Sequence, residues 1–175
     1  MLNARISWRF ALALGIGLTQ FLTFGSGRAQ IEAKVGDRFG DWTFGCQAVT
    51  ARKAICALTQ TIVEKETRKP IVHLALRRLE KDQTLALIAV LPLEVSLAAG
   101  VGGKVDGGQQ FNLIWQHCTI NGCQAAVSLD DSVKQALQTG KQLVIGFKVR
   151  TKSEASYVGA SLKGVTAGFK ALGIN

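Results

Sequence analysis

The chain has 175 residues, of which 47% are hydrophobic and 19% charged, with 19 Gly, 2 Pro, 4 Cys and a formal net charge of +9. That apolar content supports a packed core and excludes intrinsic disorder, and the length suits one domain. A collagen-like or low-complexity chain is excluded as well, because no short period runs through the sequence.

The first thirty residues read as an address. Arg5 and Arg9 precede residues 10–24, a run of fifteen without a charge. Gly27, Arg28 and Ala29 follow, placing small residues three and one before a cut between Ala29 and Gln30. This is the three-part layout of a secretory signal peptide, so residues 1–29 are expected to be removed. The run is shorter than the roughly 20 apolar residues a membrane span needs, and it carries Thr19, Gln20 and Thr23. No Cys adjoins the cut, which argues against a lipid anchor there. Cleavage takes away Arg5, Arg9 and Arg28 and no acid, so 21 basic side chains become 18 against 12 acidic, a net +6. Such a charge favours anionic surfaces without marking a nucleic-acid binder, and an exported chain is not expected to meet nucleic acid. Residues 85–92 are apolar but too short to span, so no transmembrane segment is expected in the mature chain.

All four cysteines, Cys46, Cys56, Cys118 and Cys123, fall after the cut. An even number in an exported chain points to two disulfides. Residues 41–46 alternate apolar side chains, and residues 54–63 follow a polar turn at 50–53. Folded as a hairpin, they set Cys46 opposite Cys56, Phe44 opposite Leu58 and Trp42 opposite Gln60. Cys118 and Cys123 flank a four-residue loop whose last position is Gly122, where a positive φ costs nothing. A rival two-residue turn at Asn121-Gly122 would face Cys118 against Ala125 and strand both thiols. The pairing Cys46–Cys56 with Cys118–Cys123 is therefore expected.

Further along, residues 71–79 and 84–91 are β-type runs joined by a short polar turn at 80–83, a second hairpin. Residues 93–97 and 100–106 read as short pieces around Gly-rich turns. Residues 111–118 put Phe111, Leu113 and Trp115 on one face, and residues 123–129, 143–150 and 156–162 complete nine or ten strands. Two segments break the pattern. Asp130 or Asp131 can cap a short helix presenting Val133, Ala136 and Leu137, with Gly140 as its stop. Val165, Phe169 and Leu172 are spaced for a second helix that ends at Gly173. Many short strands, Gly-rich turns and few helices predict a single all-β domain over residues 30–175, built as a two-sheet sandwich with one or two short helices.

Chemistry-bearing constellations are sparse, and no catalytic residue, cofactor or metal ligand is expected. Cys118 and Cys123 have four residues between them, which is not the two-residue spacing of thiol oxidoreductases, and the cysteines with His73 and His117 hold no short zinc-type pair. His117 abuts Cys118, yet neighbouring strand residues point to opposite faces. Residues 100–104 are glycine-rich and end in Lys104, but no helix pattern follows and the spacing is not that of a P-loop, so a β-turn is expected. Lys148, Arg150 and Lys152 alternate and would make a cationic stripe on one strand face, a candidate contact for anionic lipid or polysaccharide. The rival account of the stripe is a solvated sheet edge guarded by lysine.

Several short patterns occur together in a fixed order: Phe39-Gly40-Asp41-Trp42 with Cys46, Cys56 with Gln60, Leu91-Pro92-Leu93 leading through Gly100-Val101 to Val105-Asp106, Cys118 with Gly122-Cys123-Gln124-Ala125, then Ser161-Leu162-Lys163-Gly164 and Ala171-Leu172. In this order the mature chain resembles the invasion-associated locus B proteins of alphaproteobacteria along nearly its whole length. The resemblance implies an immunoglobulin-like β-sandwich exported to the periplasm or outer envelope, and in pathogens a link to host-cell invasion. It supplies no catalytic residue. The expectation is a non-enzymatic envelope binding module with an envelope or host-surface partner. Two alternatives are a periplasmic thiol-redox enzyme using Cys118 or Cys123, and a periplasmic inhibitor or chaperone working through a strand edge.

Overall fold

The structure, a computed structural model, describes residues 33–174. The predicted leader, residues 1–29, lies outside the described residues.

Among the described residues, ten strands form in chain order. They are β1 (Arg38–Phe39), β2 (Trp42–Thr50), β3 (Lys53–Val63), β4 (Pro70–Arg78), β5 (Leu85–Leu91), β6 (Val101–Val105), β7 (Gln110–Thr119), β8 (Gly122–Ser128), β9 (Gln142–Lys148) and β10 (Ala155–Ser161). Neighbours across the sheet run β1-β2-β3-β4-β5-β8-β7-β6-β9-β10, with every pairing antiparallel. The first hairpin has the predicted register, with Cys46 opposite Cys56 and Phe44 opposite Leu58. The second, β4 with β5, sets Arg78 opposite Leu85. Period-two alternation sets these registers, because a slip of one residue would turn Leu58, Leu74, Leu76 and Leu87 out of the core.

Two layers arise because β7 changes partner along its length. Residues 110–113 pair with β6, and residues 114–119 pair with β8 across an irregularity between Trp115 and His117. The expected two-layered β architecture is present, its layers continuous through β7. Between them lies one core. The larger layer contributes Trp42, Phe44, Leu58, Val72, Leu74, Leu76, Leu87 and Leu91, and the smaller contributes Val101, Val105, Leu143, Ile145 and Phe147.

The two ends of the strand order meet at a polar seam. Trp42, fully buried, donates its indole N–H to the Ser161 carbonyl at 2.8 Å. Gln60 donates to the carbonyls of Asp41 and Ser161 at 3.2 and 3.1 Å, and the Asp41 amide donates to the Lys163 carbonyl at 3.1 Å. Gly40 and Gly164 have φ of 59° and 94°, and a Cβ on either would overlap the backbone of the other segment. Only glycine fits both demands, the left-handed backbone and the close crossing.

Both predicted helices form. Helix α1 (Asp131–Thr139) is capped by Asp130, whose carboxylate accepts the Val133 amide at 2.8 Å. It buries Leu137 and stops at Gly140. Helix α2 (Val165–Ala171) buries Val165 and Phe169. Its end is a Schellman turn in which the Gly173 amide donates to the Lys170 carbonyl and the Ile174 amide to the Phe169 carbonyl. One expectation is corrected. Residues 100–104 are not a β-turn: Gly100 alone turns, and β6 begins at Val101 because Val101 and Val105 face the core. Residues 93–97 read only as a short piece beside a turn. They hold a turn, a single bridge from Val95 to Val149, and the start of a 3₁₀ turn, Leu97–Ala99.

Candidate functional site

The smaller layer, β7-β6-β9-β10, turns one side to the core and the other to solvent. In β6, Val101 and Val105 point inward, which leaves Gly102 and Lys104 outward; in β9, Leu143, Ile145 and Phe147 point inward, leaving Val144, Gly146 and Lys148 outward. The registers align Asn112, Gly102, Gly146 and Tyr157 in one row across the four strands. Gln110, Lys104, Val144 and Gly159 make the next row.

Glycine at the centre of two adjacent strands leaves a shallow trough of about 650 Å³. Gly102 and Gly146 are among its lining residues. Tyr157 walls one side, its ring edge 3.0 Å from where a Cβ on Gly146 would sit, yet it remains 74% exposed. On the opposite side the Gln110 amide lies 3.0 Å from where a Cβ on Gly102 would sit, beside Asn112. Lys104 and Lys148 also line the trough, and no carboxylate does. Among the described residues neither lysine has an ion-pair partner; the recorded pair is Lys53 with Glu80, at 2.7 Å on the larger layer. The arrangement can stack a flat face, exchange hydrogen bonds and attract negative charge.

The predicted cationic stripe does not form as one strand face. Strand β9 ends at Lys148, which is half-buried in the trough. The Arg150 amide donates to the Glu94 carbonyl, flanking the Val95–Val149 bridge, and the Lys152 amide folds back onto the Val149 carbonyl at 3.0 Å. The turn breaks the alternation that the stripe required. Of the three residues, Lys148 alone lines the trough.

The cysteines pair as predicted, Cys46 with Cys56 and Cys118 with Cys123, and no free thiol remains among the described residues. Gly122 has a φ of 129°, the positive value its loop position demanded. Both bridges lie on the larger layer, tying β2 to β3 and β7 to β8. His73 and His117 lie on that layer as well, where the His73 Nδ1 and the Thr61 hydroxyl are 2.8 Å apart. Partial desolvation at the sheet surface pushes the His73 imidazole below its ordinary value.

Sequence reasoning missed Tyr157, Asn112 and Gln110, and it discounted Lys104. Alternation does identify each as outward-facing. What it does not contain is that β6 lies beside β9, its partner some forty residues later, and this pairing brings the two outward glycines together.

Comparison with known proteins decides the family. The sequence model described as "Invasion associated locus B (IalB) protein" matches residues 42–173. The chain belongs to the invasion associated locus B family. Two curated relatives from Brucella abortus, from strain 2308 and from biovar 1 strain 9-941, are each named an invasion protein B homolog. Each is 27% identical over 131 residues, covering 75% of this chain and 75% of the relative. A crystal structure of invasion associated protein B from Bartonella henselae shares the fold with a TM-score of 0.68 at 19% identity, covering 78% of this chain and 92% of that one. The family match covers the first hairpin, the seam residues from Trp42 onward, the trough strands and both bridges. Two disulfides fit an oxidising, extracytoplasmic compartment. Among the described residues, no helix is long and apolar enough to cross a membrane.

Proposed function

We propose that this locus B family protein is exported and works in the cell envelope by binding rather than by catalysis. The observation that carries the reading is the trough. Its lining is glycine, aliphatic, phenylalanine, amide, lysine and tyrosine, a set suited to holding a partner, and its cations are free to meet one. Membership of the family and the name of the Brucella relatives support a role at the host interface if the producing organism is a pathogen.

Export has a direct test, which is mass spectrometry of the protein from its native envelope. Removal of residues 1–29 predicts a mature chain beginning at Gln30, and a dominant species retaining Arg5 and Arg9 would contradict it. Binding is tested by placing a photoreactive side chain at position 148 in the full chain and irradiating intact cells. The reading predicts adducts with one class of envelope or cell-surface molecule. Irradiation that leaves the chain unadducted would contradict it.

A further inference from the structure

We propose that the trough takes an acidic sugar chain, with a ring stacked on Tyr157, hydroxyls bonded to Asn112 and Gln110, and acid groups at Lys104 and Lys148. The inference deepens the binding-module reading and rests on it.

Four observations converge on this ligand chemistry. Tyr157 is 74% exposed, and its ring lies against Gly146. Filling the gap beside a glycine would account for the ring's position, since aromatic side chains do this across strands. It does not account for so much apolar surface remaining in water. A sugar presents flat patches of C–H that cover such a ring while its hydroxyls stay at the rim, the division of labour that tyrosine's amphipathic ring serves.

The two glycines point the same way. With no Cβ at Gly102 or Gly146, the Gln110 amide and the Tyr157 ring lie low over adjacent strands, each 3.0 Å from where a Cβ would sit, so a flat ring face and a hydrogen-bonding amide are presented to one partner. Side-chain amides supply both donors and acceptors, as hydroxyls do, so Asn112 and Gln110 match a polyhydroxylated partner in either direction.

Charge placement selects an extended anion over a point anion. Gly102 faces Gly146 in antiparallel strands, and each lysine lies two residues beyond its glycine in opposite directions. At about 3.4 Å per residue, the Lys104 and Lys148 backbones are about 14 Å apart along the strands. A chain carrying an acid group on successive units can meet both lysines with the Tyr157 row between them. One phosphate sits on one lysine or the other.

Titration calorimetry on the full chain tests this, with a hexamer of galacturonic acid as the probe. Maltohexaose, inorganic phosphate and phosphatidylglycerol vesicles serve as comparisons. Binding of the acidic hexamer is expected, with maltohexaose weaker. Tyr157→Ala should weaken hexamer binding by about tenfold or more, the range of a central aromatic anchor. The double change Lys104→Ala with Lys148→Ala should abolish the salt dependence of binding, and Lys152→Ala should change nothing. If Tyr157→Ala proves unfolded by circular dichroism, Asn112→Ala replaces it, with a smaller loss expected. The proposal is overturned if the hexamer does not bind, or if the folded trough variants bind it as the parent does. It is overturned too if phosphate or the vesicles engage Lys104 and Lys148 as tightly as the hexamer. Photo-adducts in cells that survive the Tyr157→Ala change would remove the sugar site while leaving the binding-module reading standing.

Discussion

The seam and the trough both depend on glycine, and they use it in opposite ways. At the seam, Gly40 and Gly164 let two backbones touch, so the missing side chains are filled at once by protein. In the trough, Gly102 and Gly146 seat side chains instead, the Gln110 amide and the solvent-facing Tyr157 ring, each within 3.0 Å of where a Cβ would sit. One arrangement brings backbone against backbone, and the other lays side chains over a sheet face that stays open to solvent. The short patterns that carry the family resemblance, Phe39-Gly40-Asp41-Trp42 and Ser161-Leu162-Lys163-Gly164, lie far apart in sequence yet meet at the seam. They are motifs of closure, and the candidate site lies on another surface.

The comparison breaks most readily at Trp42. Its indole is fully buried and bonded to Ser161, so Trp42→Ala should cost about 3–5 kcal/mol in chemical denaturation. A loss below about 1 kcal/mol would show that the seam does not hold the fold, since deletions of buried aromatics exceed that value.

Next in size are the bridges. Replacing Cys46 and Cys56 by Ser should cost about 2–5 kcal/mol, and the shorter loop closed by Cys118 and Cys123 should cost less. Binding should persist in whatever fraction remains folded, because both bridges lie on the larger layer. A redox protein would behave in reverse, losing activity at Cys118→Ser while keeping its melting point.

Much of the fold was legible because local rules and tertiary packing agreed. The hairpin that aligns Cys46 with Cys56 also aligns Phe44 with Leu58, and Asp130 caps the helix that buries Leu137. Errors came where local composition misled. The run Gly100-Val101-Gly102-Gly103-Lys104 reads as a turn, but Val101 and Val105 have a core to face and β7 and β9 supply partners on both sides. The stripe of Lys148, Arg150 and Lys152 assumed a strand that ends at its first member. The site was the least legible part, since it exists only where distant strands pair.

Acidification should produce smaller effects, at His73 on the larger layer and at the cap of α1. Partial desolvation at the sheet surface holds the exposed His73 below its ordinary value of 6.5, so the unfolded chain takes up that proton more readily than the folded one. Stability should therefore fall as pH drops through this range, and His73→Gln should flatten the profile in thermal melts. Asp130 is held below its ordinary value chiefly by the Val133 amide, then by Ser132. Its cap contribution is complete above the usual carboxylate range and lost as pH falls below the depressed value. Asp130→Ala should lower the melting temperature at neutral pH and converge with the parent in strong acid.

Smallest of all should be the effect of trough substitutions on stability. Tyr157→Ala removes an exposed ring, and the change should stay within about 0.5 kcal/mol by denaturant titration. A larger loss would mean that the ring serves the sheet as the seam residues do.

The separation of seam from trough is tested most directly by hydrogen exchange of the full chain, with and without the galacturonic acid hexamer. Slowed exchange is predicted in β6, β9 and β10 around Lys104, Gly146 and Tyr157, with residues 39–42 and both disulfide hairpin tips unchanged. Protection confined to the seam or to the hairpin tips, with the trough strands unaltered, would contradict the account.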